Sequence, residues 1–243
     1  MQTTHQIARA PVPSTDDTAF IAGLLDGYRF RVCQTAEDWA AAMEIRRSVY
    51  RADCGYEVPV PDDYDARSWL FVAEDLATAK AVGTMRMTPS WAGTLEAEEY
   101  FTLPRHLRGN TSVEITRFAI LPEYRKGKTF LPIVSLGLFK LVREFAPRIG
   151  ARHLVVCSKP ERIWTYDWMS FRTTGLKARY TKLNDAEHEL ISLDMQRIHV
   201  DLAAHPFGTF FLHAKYAQVE VPVRVPAPGF PWDDDAIHVA VGA

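Results

Sequence analysis

The sequence contains no run of about 18 consecutive apolar residues, so no integral membrane segment is expected. Its N-terminus lacks a basic start followed by an apolar core, so no signal peptide is expected. Cysteine is scarce: Cys33, Cys54 and Cys157 are odd in number and widely spaced. That argues against a disulfide framework and a zinc site, and it fits a reducing, cytoplasmic setting. The eight histidines form no HExxH or similar ligand pair, so no metal is expected. An excess of one charge is also missing. The 28 basic and 30 acidic residues leave a net charge of -2, which gives no global reason to expect nucleic acid or a membrane surface as partner. Internal repeats and low-complexity tracts are absent.

What remains is ordinary globular material. The 243 residues suffice for one large or two small domains, and 47% hydrophobic with 24% charged residues is typical of a soluble core and surface. Residues 1–26 read as a mobile N-terminal arm, with Pro11, Pro13, Asp16 and Asp17 in a polar cluster. Tyr28 to Cys33 suits a first strand. Thr35 is a helix N-cap with Asp38 at the third helical position. Trp39, Met43, Arg46 and Tyr50 then fall on one helical face, which puts Arg46 on the inward stripe. Its head either snorkels out or points into a pocket. Cys54 to Arg67 is a loop in which Asp62, Asp63 and Asp65 suit a solvated turn. Trp69 to Glu74 and Ala81 to Met87 are strands, the latter carrying Arg86 in phase with Val82 and Thr84.

Trp91 to Asn110 is irregular, with an acidic run at Glu96, Glu98 and Glu99 followed by Arg105 and Arg108. The stretch from Ser112 to Gly127 is the centre of the chain. It is a β-branched apolar strand that carries Glu114 and Arg117, stops at Pro122, and leads through Arg125, Lys126 and Lys128 into a buried helix from about Thr129 to Phe145. A charged pair in an apolar strand is costly unless paired or used. Residues three apart on a strand face opposite sides, so Glu114 and Arg117 share a face only through a bulge. The pair is therefore either a structural ion pair or part of a chemical site. Arg152 to Ser158 is a buried strand, Pro160 begins a helix ending at Gly175, and Lys177 to Leu183 with His188 to Met195 form a hairpin around Asn184-Asp185. The order β-α-β-β-β-α-β-α-β-β is a mixed α/β sheet with helices on its faces. The segment from Val200 onward has a strand-like run at Gln218 to Val223 and a Pro-rich end near Trp232, with no placement legible.

Four motifs in order resemble one family. Glu114-Ile115-Thr116-Arg117 followed by Ala119 to Arg125 is similar to the central strand and turn of GNAT-fold acyltransferases. The resemblance is to the branch of N-acyl-homoserine lactone synthases and long-chain N-acyl amino acid synthases. Arg46-Arg47-Ser48-Val49-Tyr50 with Gly55-Tyr56, Asp62-Asp63-Tyr64-Asp65, and Gly83-Thr84-Met85-Arg86 resemble its other motifs, over about Tyr28 to Met195. Tyr50 and Tyr56 stand where the family often has Phe and Trp. The resemblance implies an α/β fold with a mainly antiparallel central sheet, flanked by helices and splayed at the central strands. It implies an acyltransferase domain over 27–199 and a C-terminal extension over 200–243.

The resemblance also implies roles. Glu114 is the candidate base and Arg117 its catalytic neighbour, while Arg46, Asp62, Asp65, Arg86 and Phe118 form the substrate site. Arg125, Lys126 and Lys128 are expected to meet the donor, with Arg105 and Arg108 as further basic residues facing an acidic carrier. Coenzyme-A-dependent members cradle a pyrophosphate on glycine amides at a helix start; Arg125 to Phe130 lacks those glycines in register. Acyl carrier protein is therefore the expected donor partner, bringing acyl-phosphopantetheine as substrate, with no bound cofactor. The acceptor is the amine of a small molecule, either an amino acid or S-adenosylmethionine. The competing readings are a coenzyme-A-dependent acetyltransferase and an inactive binding module. Cys157 as nucleophile is a further alternative without a nameable histidine partner.

Overall fold

The structure, a computed structural model, describes residues 20, 22–125, 132–203, 205 and 207–229. The proposed arm before Tyr28, Lys126, Lys128 and the Pro-rich end near Trp232 fall wholly or largely outside the described residues. Eight strands follow in chain order: β1 (Tyr28–Val32), β2 (Trp69–Asp75), β3 (Lys80–Pro89), β4 (Ser112–Ile120), β5 (His153–Ser158), β6 (Arg172–Tyr180), β7 (Ala186–Asp194) and β8 (Val219–Glu220). They form one sheet in the order β6-β7-β5-β4-β3-β2-β1-β8. The β4–β5 and β1–β8 pairs are parallel and the others antiparallel. The mixed, mainly antiparallel sheet is the expected one.

Alternation along the strands sorts the helices to opposite faces. Trp69 and Phe71 of β2, with Met85, Met87 and Ile115, pack on α2 (Ile133–Phe145) in the main core. The alternate residues Leu70 and Val72 meet Ala42 and Met43 of α1 (Ala36–Arg47). Two glycines permit the close approach of α2. A Cβ added at Gly137 would lie 2.0 Å from the Phe30 ring, and one at Gly83 would lie 2.5 Å from Val134 Cγ1. Helix α1 starts as its cap predicts, with the Thr35 hydroxyl accepting from Asp38 N at 3.2 Å. It does not end as an ordinary helix but widens into a π turn over Ser48–Asp53, a feature often found at functional sites.

The chain after β5 departs from the expected pattern. Helix α3 spans only Ile163–Asp167, and Arg172 already opens β6. Gly175, expected as a helix C-cap, instead has φ +76 inside a bulge of β6. Its left-handed backbone served the bulge equally well, so the glycine alone did not discriminate. Helix α2 starts at Ile133, with Pro132 at its cap position. The hairpin turn is as expected, with Asn184 and Asp185 both at positive φ. The segment after Val200 now has a place. Helix α4 (Ile198–Asp201) and Phe207, Phe210 and Phe211 join the main core. The buried Lys140 of α2 anchors them, donating to the Phe211 carbonyl at 3.1 Å while pairing with Glu144 at 3.0 Å. Strand β8 then adds to the outer edge of β1. Among the described residues, no helix is long and apolar enough to cross a membrane.

Candidate active site

Strand β4 is bent where its motif residues lie. Thr116 faces Arg86 and Ala119 faces Thr84, so Arg117 and Phe118 together oppose Met85 alone. This is a bulge, and Arg117 takes its left-handed position at φ 51. The extra residue is thus at Arg117 itself rather than between it and Glu114. The effect is the one the spacing required, because the Arg117 side chain turns toward the polar face that carries Thr116 and Arg86.

On that face a closed ion cluster forms. Arg46 donates to Asp65 Oδ1 at 2.7 Å and to Asp62 Oδ2 at 3.2 Å. Arg86 bonds Asp62, Asp65 at 3.2 Å, Glu96 Oε2 at 2.7 Å and the Thr116 hydroxyl at 3.0 Å. Arg117 donates to Asp62 Oδ2 and to Glu96 Oε1, each at 2.8 Å. Asp65 Oδ2 accepts from Asp62 N at 2.7 Å, closing the loop on itself. Arg46 and Arg86 are fully buried. Burial pushes the Asp62 carboxyl up, but Arg86, Arg117 and Arg46 outweigh it and hold the group at about 2. Burial alone would ease the proton off Arg117; Glu96 and Asp62 reverse that and hold it more firmly.

Three guanidinium groups therefore face three carboxylates. Glu114 is a fourth acid beside a balanced set. It is fully buried, and its Oε1 accepts from Ala97 N at 3.0 Å. Its Oε2 has no hydrogen-bond partner among the described residues. Burial first, and the neighbouring Glu96 second, push its carboxyl up to about 8. Glu114 is thus mostly protonated at neutral pH and loses its proton just above it.

Glu114 also marks a fork in the sheet. β4 and β5 pair only from Ser112 with His153 to Glu114 with Val155. Beyond that point β4 pairs with β3 alone among the described residues. A cleft of about 520 Å³ lies beside the far part of β4, from Phe118 to Ile120, lined also by Tyr50, Tyr56, Phe139, Tyr166 and Arg125; Glu114 itself is not in its lining. The Tyr50 hydroxyl donates to the Phe118 carbonyl at 3.4 Å, and burial pushes its own pKa up to about 12, so it remains a donor. Lys159 bonds the Tyr56 hydroxyl at 2.8 Å, and Arg125 pairs with Asp53 at 2.6 Å. Burial pushes the Cys157 thiol well above its ordinary value, which leaves little thiolate to act as a nucleophile.

The structure thus sorts the residues picked from the sequence into two groups. Arg46, Asp62, Asp65, Arg86 and Arg117 are joined in the cluster, with Glu114 against it. Phe118 and Arg125 line the cleft. Arg108 is tied to the Leu103 carbonyl at 2.6 Å and is absent from the cleft lining. Glu96 was missed as a site residue, although it bridges Arg86 and Arg117 and perturbs Glu114. Tyr50, Tyr56 and Tyr166 were also not singled out as cleft residues.

Comparison with known proteins identifies the family and the fold. The family model described as "N-acyl amino acid synthase FeeM" matches residues 41–194. The structure of FeeM, an N-acyl amino acid synthase from uncultured soil microbes, is 18% identical with a TM-score of 0.59, covering 72% of this chain and 94% of that one. BjaI, a coenzyme-A-dependent acyl-homoserine lactone synthase solved with SAM and isopentyl-CoA, is 18% identical with a TM-score of 0.60, over 88% of this chain and 99% of that one. The acyl-homoserine lactone synthase LasI is 15% identical with a TM-score of 0.55, over 73% and 95%. At these identities the structures speak for the fold. No curated protein sequence matches the chain. The family match spans more than half of the chain, and with it the protein is an acyltransferase that belongs to the FeeM N-acyl amino acid synthase family.

Proposed function

We propose that the protein transfers a fatty acyl group from the thioester of acyl carrier protein to the amine of an amino acid or amino acid derivative. The observation that carries this reading is the fork in the sheet: a buried carboxyl with a raised pKa, Glu114, stands where β4 leaves β5, and farther along the same strand Phe118 to Ile120 line an aromatic cleft. An α-amino group has a pKa near 8, so at neutral pH most of it is protonated and not nucleophilic. A base of similar pKa is well matched to remove that proton. Glu114 takes this role through an intervening water, using its unpartnered Oε2. The neutral amine then attacks the thioester carbon; as the tetrahedral intermediate collapses, the C–S bond breaks, the surplus proton on nitrogen passes to the departing sulfur to give the thiol, and Glu114 returns its own proton to solvent. Backbone amides on the unpaired β5-facing side of β4, beside the Arg117 bulge, are the donors for the oxyanion. The ion cluster acts as a frame: its charges already have partners, so it fixes the bulge and leaves recognition of the acceptor to its rim.

The lack of glycines in the pyrophosphate-cradling register after Arg125 supports a carrier-bound donor. A second reading, coenzyme A as donor, is favoured by the coenzyme-A-dependent BjaI, whose likeness extends over 88% of this chain. The test is purified protein given matched acyl-carrier and acyl-coenzyme A thioesters with amino acid or S-adenosylmethionine acceptors, read by mass spectrometry. Lipid extracts from overexpressing cells provide the unbiased arm. N-acylated product from the carrier donor is expected. Equal use of acyl-coenzyme A overturns the donor assignment, and no N-acyl product from either donor overturns the whole reading.

A further inference from the structure

Two hollows in the molecule share a wall. The outer one is the cleft of about 520 Å³ beside Phe118 to Ile120 of β4. The inner one, about 20 Å³, lies in the main core among Leu154 of β5, Leu193 of β7, Ile198 and Leu202 at α4, and Phe211. Phe139 and Met169 line both. Both are nearly buried, and Phe139 stands in an aromatic row with Phe118 at 5.3 Å and Tyr166 at 5.7 Å. The inner hollow has room for about one water-sized body. It is apolar on every side, with only the stem of Arg143 to contribute, so it offers water nothing to bond.

Resting on the acyl-transfer reading, we propose that Phe139 and Met169 form the end wall of the acyl cleft and set the length of the fatty chain accepted. The chain enters at the fork, where its thioester must lie, and its methyl end runs along Phe118 and Tyr166 until it meets the wall. Behind the wall is an apolar space that longer chains reach only when these two side chains move or are trimmed. Methionine suits such a place, because an unbranched side chain with three rotatable bonds repacks at low cost. The same arrangement gives the C-terminal extension a role, since Leu202 and Phe211 are the far side of the space into which a longer chain would grow.

The probe is a series of unreactive alkyl-pantetheine thioethers, from medium to long chain, titrated calorimetrically against wild type, Met169→Ala and Phe139→Leu. Pantetheine is common to carrier protein and coenzyme A, so the result does not depend on the donor, and no acceptor or turnover is involved. Trimming the wall should shift the long-over-medium preference by about tenfold or more, since each methylene accommodated or refused counts for about that much. Leu202→Phe added to Met169→Ala should restore the wild-type profile by refilling the space. An unchanged profile in variants that melt cooperatively overturns the wall. Wild type binding no member of the series overturns the acyl-transfer reading itself and the wall with it. If neither variant folds, the structure of wild type with the longest thioether decides: its terminal carbons must lie against Phe139 and Met169 or displace them toward Leu202, and a chain leaving the cleft by another path refutes the proposal.

Discussion

Replacing Glu114 by glutamine should make the protein more stable and less active, by amounts that depend on pH. The folded carboxyl titrates at about 8, against an ordinary value of 4.5. Between those values the folded chain holds a proton that the unfolded chain gives up. The sign follows from linkage: wild-type stability is fully present below about 4.5 and declines as pH rises through about 8. At about 1.4 kcal/mol per pH unit, the proton held by wild type costs about 1 kcal/mol at pH 5 and about 3 kcal/mol at pH 7. Glutamine carries no such proton, keeps the acceptor for Ala97 N, and leaves the position of Oε2 as unpartnered as before. The variant should therefore unfold with wild type below about pH 4.5 and pull ahead above it. In a chain of this size about 3 kcal/mol corresponds to roughly 6–12 °C in melting temperature. Urea unfolding at a series of pH values measures the gap, and turnover should fall about 100-fold or more. A gap that does not grow with pH, or a less stable variant at pH 7, refutes the buried protonated carboxyl. Near wild-type turnover removes Glu114 as the base.

Asp62→Asn leaves Arg46, Arg86 and Arg117 sharing two carboxylates, and should cost about 3–5 kcal/mol in denaturant unfolding. Because the folded Asp62 titrates at about 2 against an ordinary value of 3.8, that loss should be full above about pH 4, shrink as pH falls below 3.8 and level off below about 2. Glu96→Gln removes the charge that raises Glu114, so carbon NMR of labelled glutamate should show Glu114 titrating below about 8; an unmoved titration refutes the coupling. Reversing Lys126 and Lys128 to Glu should raise KM for acyl carrier protein, leave kcat nearly intact, and lose its effect as rising salt shortens the screening length below about 8 Å. An unchanged KM refutes the carrier-docking role of that turn.

The polar face was legible because its members lie on regular elements or in compact motifs. Arg46 followed from helical spacing, Arg86 from strand phase, and Asp62 and Asp65 from their place in the ordered motifs. Arg117 declared itself as a charge in an apolar strand, and the bulge it needed is there. Glu96 was hidden because it sits in an irregular acidic run that reads as a solvated face. The available clue was stoichiometric: three arginines aimed at one interior required a third carboxylate besides Asp62 and Asp65. The false helix past Asp167 arose because Ile163, Trp164, Trp168 and Phe171 repeat at helical spacing for another reason: several of them pack on the core cluster or line the cleft. In the C-terminal extension the strand-like run at Gln218 to Val223 does contain β8, but a strand of two residues shows no period that would tell which edge it joins.

Strand β8, short as it is, decides how the sheet ends. β1 would otherwise present a row of unpaired amides and carbonyls along its outer side, a template for a second chain. Gln218, Val219 and Glu220 occupy that row, with Phe30 N donating to the Gln218 carbonyl at 2.7 Å. At the opposite margin β6 has no such cover among the described residues, and it is guarded differently: Arg172, Lys177 and Arg179 crowd it with cations, and its bulge twists the ladder away. The two margins of the sheet thus resist growth by separate means, one closed by the chain's own late segment and one by charge. Removing that late segment would convert a finished sheet into an open one, and the penalty would be felt as self-association at high concentration, even with the cleft and the ion cluster intact.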